Sequence, residues 1–248
     1  MLQCKVRNIF KGCDFLRDDI CTIPVSEVFE VSDGCPICRM KQTVEQHLIT
    51  YILGDAMMEP DVRIETNAVG FCPEHYNKMM STRGRLQLAL MLETHIKEIS
   101  EQIFEKKLFN GGDKKASNVK KISDSCFICE KVNWGMERMI DTIYRCYEKE
   151  RDFRELFNNQ PQFCMHHFEM LACGADKKKM PKYASEFKEN LTRITADYVK
   201  SLGDDISKYC SMYDYRNKGS NDWGNSADSV ERAVMFLTGN CDLHNATK

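Results

Sequence analysis

Two stretches of the chain carry the residue types that do metal chemistry, and they carry them twice in the same order. The first reads Cys35-Pro-Ile-Cys38 and, further on, Phe71-Cys72-Pro-Glu-His75; the second reads Cys126-Phe-Ile-Cys129 and then Phe163-Cys164-Met-His-His167. The inner cysteines stand 34 positions apart in the first copy and 35 in the second, so one insertion aligns them. Three soft thiolates and one imidazole suit zinc, whose filled d shell accepts a tetrahedron imposed by the protein. Such a set fills all four positions and leaves none for water or substrate, which points to a structural rather than a catalytic ion. The spacing predicts two zinc ions per chain, each tying the CxxC of a repeat to the CxxH of the same repeat: Cys35, Cys38, Cys72 and His75 in one, Cys126, Cys129, Cys164 and His167 in the other. A rival reading makes the CxxC pairs redox dithiols. The paired CxxH speaks against it, because a dithiol needs no such partner. Sulfur-rich donors also suit iron, so the residues alone leave the choice between zinc and iron open.

Elements must bring these pairs together, and the apolar pattern says they are mostly helices. Met40, Val44, Leu48, Ile49, Ile52 and Leu53 follow helical spacing behind the first CxxC, and Gly54 can end that helix. Met139, Ile140 and Ile143 repeat the pattern behind the second, in a helix from Lys131 to about Glu150. The thiolates therefore sit at helix N-termini, where unpaired N–H groups favour negative sulfur. His47 lies on the first helix, but its repeat counterpart is Arg138, so it stays outside the metal set. Return loops follow at 57–67 and 152–162, then a short helix from each CxxH and a long amphipathic helix. The stripe of the first long helix is Leu88, Leu92, Ile96, Ile99 and Ile103; that of the second runs from Tyr183 to Tyr213. These two helices are candidates to pack together.

The resulting fold class is mainly α with little β: two pseudo-repeated zinc-binding halves, each a CxxC knuckle, helix, return loop, CxxH helix and long amphipathic helix. Ile23-Pro24-Val25 and Val28-Phe29-Glu30-Val31 lead into Ser32-Asp33-Gly34 and predict a small hairpin presenting the first knuckle. The expected divisions are an arm (1–19), the first repeat (20–106), a linker (107–123), the second repeat (124–216) and a tail (217–248). Ser226 or Asp228 can cap a final short helix in that tail, Trp223 can anchor it to the body, and 239–248 is expected to fray.

Acidic and basic residues nearly cancel, 37 against 35, so charge gives no support to a nucleic-acid partner. No run reaches the roughly 18 apolar residues of a membrane span, and the N-terminus lacks the apolar core of a signal peptide. Thirteen cysteines in such a chain read as reduced and partly metal-bound, in a cytoplasmic protein. Cys4, Cys13, Cys21, Cys146, Cys173, Cys210 and Cys241 lie outside the repeats and read as small core or surface residues.

At Cys35-Pro-Ile-Cys38, Gly70-Phe71-Cys72-Pro-Glu-His75, Leu90-Met-Leu-Glu-Thr-His95, Asp214-Tyr-Arg216 and Trp223-Gly224-Asn225, the chain resembles a family of uncharacterised bacterial proteins, common in anaerobic Gram-positive bacteria. The likeness runs from about Ile20 to Leu237. It implies a bacterial cytoplasmic protein and supplies no activity.

Three functions fit these residues. The first is a binding or scaffold protein, with a protein partner, built on two structural Cys3His zinc sites. The second is a thiol-based redox or metal sensor, in which oxidation or loss of zinc releases an ordered segment. The third is an enzyme with a pocket in the first repeat, in which Arg63, Asn67, Glu93 and His95 meet. No Gly-rich phosphate loop, nucleophile elbow or HExxH helix supports the third. Glu93, Thr94 and His95 are otherwise the polar flank of an amphipathic helix.

Overall fold

The computed structural model of the chain describes residues 25–105, 112–214 and 222–239, and every regular element among them is helical. In order they are α1 (Val25–Glu30), α2 (Pro36–Ile52), a 3-10 turn (Asp55–Met58), α3 (Pro60–Val69), α4 (Pro73–Ser81) and α5 (Arg85–Ile99), which runs on as a π-helical turn (Ser100–Glu105). Then come α6 (Gly112–Ser123), α7 (Phe127–Lys149), α8 (Arg151–Asn158), α9 (Met165–Gly174), α10 (Ala184–Met212), a 3-10 turn (Gly224–Ser226) and α11 (Ser229–Thr238). The internal repeat is visible as α2-α3-α4-α5 answered by α7-α8-α9-α10. The expected arm at 1–19 and the end of the tail from 240 fall outside the described residues.

Three expectations need correction. The hairpin before the first CxxC is the helix α1, because Val25, Val28 and Phe29, at i, i+3 and i+4, bury one helical face. The return loops are the helices α3 and α8. Pro60 opens α3 at a position that needs no N–H, and Val62 and Thr66 bury its inner side, as Phe153 and Phe157 do for α8. The stripe of α5 is rotated from the expected one: Leu88, Met91 and His95 face inward, and Ile96 is 61 % exposed. Within the expected linker, residues Gly112–Ser123 are helical.

The chain forms two compact units that interleave in sequence. One takes in Val44–Gly135, the other Ile23–Thr43 with Met136–Lys248, so α2 and α7 each begin in one unit and end in the other. The long helices α5 and α10 consequently belong to different units.

The unit of residues 44–135 has an aliphatic core from Val44, Leu48, Ile49, Ile52, Val62, Met79, Leu88 and Met91. Arg63 and Thr94 hydrogen-bond each other across α3 and α5; Thr94 Oγ1 donates to Asn67 Oδ1 at 2.8 Å, and the Nδ1–H of His95 donates to the Asn67 carbonyl at 2.7 Å. Gly70 ends α3 with φ +63°, and a Cβ there would lie 2.6 Å from Nε2 of His95, so both backbone and space require glycine. Arg63, Asn67 and His95 are thus brought together, by hydrogen bonds within the α3–α5 contact. Glu93 does not join them, since it lies exposed on α5.

The other unit packs aromatic rings. Phe157 sits among Phe29, Tyr147, Phe163 and Phe187 at centroid distances of 5.8, 5.2, 4.9 and 4.7 Å. Gln160 Nε2 donates to the Phe29 carbonyl at 2.6 Å and so ties α1 to the end of α8. Changing Phe157 to Ala should destabilise this unit by about 3–5 kcal/mol, the usual cost of an aromatic-sized hole, read as a lowered urea midpoint. Trp223 docks on the end of α10, against Tyr209 and Tyr213 at 5.6 and 5.8 Å, which is the anchoring expected of it. Asp228 stands at the N-cap of α11 without a side-chain capping bond; its carboxylate accepts from Arg232 Nε at 2.9 Å instead.

Candidate metal centres

The eight repeat residues come together as two groups of four that could hold a metal ion, but the grouping is crosswise. Cys35 and Cys38 meet Cys164 and His167; Cys126 and Cys129 meet Cys72 and His75. The expected pairing within each repeat is therefore corrected: each CxxC faces the CxxH of the other repeat. Helix lengths give the reason. α2 has 17 residues and runs on about 21 Å beyond Cys38 at the α-helical rise, whereas α3 has ten residues, about 15 Å, and cannot bring the CxxH back. Each group lies within one compact unit.

All four pairs use one local device. Cys35, Cys72, Cys126 and Cys164 each stand immediately before a helix, and Cys38, His75, Cys129 and His167 are the third residue of it. The N–H of the residue after each pair donates to the carbonyl of the leading cysteine: Arg39 at 3.2 Å, Tyr76 at 2.9 Å, Glu130 at 3.1 Å and Phe168 at 2.8 Å. N-cap and N3 side chains point to the same end of a helix, the geometry that capping boxes use. Two helix N-termini thus aim their free N–H groups at each cluster and offset its negative charge. At Cys126 this is direct, the N–H of Cys129 pointing to its Sγ at 3.5 Å.

The loops that deliver the pairs are sewn together. Phe127 N–H donates to the Gly70 carbonyl at 3.0 Å and Ser125 Oγ to the Val69 carbonyl at 2.7 Å, which registers the start of α7 beside Cys72.

The spacing of the donors fits a tetrahedral ion. Sulfur at about 2.3 Å and nitrogen at about 2.0 Å from a central ion put S···S edges near 3.8 Å and S···N edges near 3.5 Å. The S···S contacts are 3.9 Å for Cys72 with Cys129 and 3.5 Å for Cys38 with Cys164. His75 Nδ1 lies 3.1, 3.3 and 3.4 Å from the sulfurs of Cys72, Cys126 and Cys129. His167 Nδ1 lies 3.1, 3.2 and 3.6 Å from those of Cys164, Cys38 and Cys35. All donors of a group lie within 4.8 Å of one another. His47 is exposed and belongs to neither group.

Hydrogen bonds from Cys35 and Cys38 pull the Cys164 thiol far below its usual range, outweighing burial. Burial raises Cys126, but the hydrogen bond from His75 and the N–H of Cys129 bring it down to about 6. Burial pushes Cys35 up to about 12, and burial with the neighbouring Cys126 charge pushes Cys129 up as well. Ion binding must therefore displace protons, and affinity should rise with pH.

Glu45 distinguishes the two clusters. Its Oε1 accepts from Nε2–H of His75 at 2.7 Å, and its Oε2 accepts from Lys78 at 2.7 Å. Burial raises the Glu45 carboxyl, but those two hydrogen bonds dominate and hold it down to about 2. A depressed carboxyl contributes stability above its unfolded value, about 4.5, that is lost as pH falls toward 2. The bond holds a proton on Nε2, so that an ion displacing the Nδ1 proton would meet a lone pair already facing the sulfurs, the carboxylate–histidine arrangement that orients metal-binding imidazoles. Sequence reading missed Glu45; its position on the cysteine-led helix was the available signal. Changing Glu45 to Gln should weaken metal binding by the Cys72 cluster about 10–100-fold and leave the Cys35 cluster unchanged, measured by competition with a chromogenic chelator.

The nine cysteines among the described residues are all free of disulfides; Cys173 and Cys210 are exposed and Cys146 is half-buried. No helix among the described residues is long and apolar enough to cross a membrane.

The profile of a family of unknown function, DUF6062, matches residues 16–244. The chain belongs to that family. No curated protein and no solved structure matches it. Membership of this family carries no activity with it, so the function has to be argued from the clusters.

Proposed function

We propose that this is a zinc protein with two structural Cys3His sites, each closing one compact unit, and that it acts as a non-enzymatic binding or scaffold module inside the cell. The observation that carries the reading is the completed donor set: four side chains at tetrahedral spacing, presented by two helix N-termini. Four protein ligands leave no position for substrate, and three thiolates favour zinc over harder divalent ions. Arg63, Asn67, Thr94 and His95 hydrogen-bond within the α3–α5 contact, which supports a packing role for them. Val230, Val234 and Leu237 lie exposed at i, i+4 and i+7 along α11, a stripe suited to a protein partner.

Cobalt substitution tests the reading, since cobalt(II) reports coordination number and sulfur ligation through its visible and near-ultraviolet absorption. Two equivalents should bind, each giving the intense bands of tetrahedral cobalt with thiolate ligands, and zinc should displace both. Weak octahedral bands, or a titration that ends at one equivalent, would contradict it.

A further inference from the structure

The two clusters are not equivalent: Cys72 and Cys129 are half-buried, whereas the Cys35 cluster is buried throughout but lies against a cavity. His75 is braced by Glu45 and Lys78. The repeat counterparts of these residues are Met136 and Met170, and among the described residues no carboxylate hydrogen-bonds His167. A cavity of about 390 Å³ is lined by Cys35, Cys38 and Cys164 together with Gln42 and, from α11, Met235 and Phe236. The last turn of α11 also ends on this cluster: the Gly239 carbonyl lies 3.6 Å from Cys38 Sγ, and a Cβ at Gly239 would stand 3.5 Å from Cys164 Sγ.

We propose that Cys35, Cys38 and Cys164 form an oxidation site for small hydroperoxides, reached through this cavity, and that their oxidation expels the zinc and frees the Gly239 end of α11. The proposal rests on the zinc reading above and specifies which site responds. The cavity has room for a molecule the size of hydrogen peroxide beside three cysteines that are themselves only 2–6 % exposed. One thiolate attacks the peroxide, the O–O bond breaks, and a sulfenic acid and hydroxide form. A second thiolate of the cluster displaces hydroxide from that sulfur to make the S–S bond. Two electrons pass from the two sulfurs to the peroxide, which with two protons becomes two waters. Zinc, left with one thiolate and one imidazole, departs. The Cys38 and Cys164 sulfurs, 3.5 Å apart, are already neighbours for this step. Once Cys38 is drawn into a disulfide, the sulfur against which Gly239 packs moves, and the helix end loses its seat.

The test uses the zinc-loaded full chain treated with hydrogen peroxide, with released zinc followed by a chromogenic chelator. Disulfides are mapped on alkylated peptides, and the Gly239 end of α11 is probed by limited proteolysis. One zinc should leave well before the second, with a disulfide among Cys35, Cys38 and Cys164 and with cleavage appearing at the end of α11. Met235→Trp, which narrows the cavity without touching a ligand, should slow that release several-fold and leave the rate for the second zinc alone. Simultaneous loss of both ions, first oxidation at Cys72, Cys126 or Cys129, or an unchanged rate in Met235→Trp would overturn the proposal while leaving two structural zincs in place. A chain that holds no zinc before peroxide is added would overturn the zinc reading itself, and this proposal with it.

Discussion

Cys72→Ser should cost the chain one of its two zincs and expose Cys126 and Cys129, in the other repeat, to alkylation. Cys35 and Cys38, in the same repeat as the substitution, should stay protected. The expectation follows from the crosswise grouping: Cys72 shares its cluster with His75, Cys126 and Cys129. A hydroxyl in place of the thiolate leaves three donors and removes a negative charge that two helix N-termini and the ion were arranged around. The consequence reaches beyond the ligand. The start of α7 is registered by Phe127 on Gly70 and Ser125 on Val69, contacts that assume the two helix N-termini are held together. Their loosening should appear as faster amide exchange at residues 125–130, with the Cys164 cluster unaffected. Mass spectrometry of alkylated peptides reads both halves of the result in one experiment. Labelling of Cys35 and Cys38 instead would mean that each repeat closes its own site.

Removing both ions should abolish the native fold. Structural zinc in small domains is bound with an apparent free energy of about 10–16 kcal/mol, most of it expressed as folding free energy. A domain's whole stability is about 5–15 kcal/mol, so either ion alone is comparable with the stability of the unit it closes. The ligands of each cluster come from segments distant in sequence, Cys38 and Cys164 across 126 positions and Cys72 and Cys129 across 57, so an ion held there would join them. A strong chelator, with removal checked by elemental analysis, should eliminate the cooperative thermal transition and much of the helical circular dichroism. Added zinc should restore both, and added magnesium neither. A chain that kept its melting transition after verified loss of both ions would show that the clusters are thiol cores and not metal sites.

Much of this was legible in the residues themselves. The CxxC and CxxH pairs announce their chemistry because a two-residue gap puts both side chains on one end of a helix. The apolar spacing behind them reveals α2 and α7 because each buries one stripe. The partner of each pair was not legible, because spacing along a chain says which residues resemble one another and not which ones meet. Two identical half-sites can close within a repeat or across repeats, and only the lengths of α2 and α3 decide between these. α3 and α8 were hidden for a different reason: short helices whose exposed faces are polar read as loops, and the buried pairs Val62/Thr66 and Phe153/Phe157 are too few to show a period. On α5, Leu92 and Ile96 offered a stripe as regular as the true one. The buried positions were decided by His95, whose hydrogen bond to Asn67 draws that face inward. Glu45 looked like any acidic residue on a helix until His75 was placed beside it.

Zinc content measured by elemental mass spectrometry on the native chain and two double variants tests the central claim most directly. Crosswise closure predicts two zincs in the native chain, one in Cys38→Ser/Cys164→Ser, whose lesions share a cluster, and none in Cys38→Ser/Cys72→Ser, which damages both. One zinc in the Cys38/Cys72 variant and none in the Cys38/Cys164 variant, or a native chain without two zincs, would contradict it.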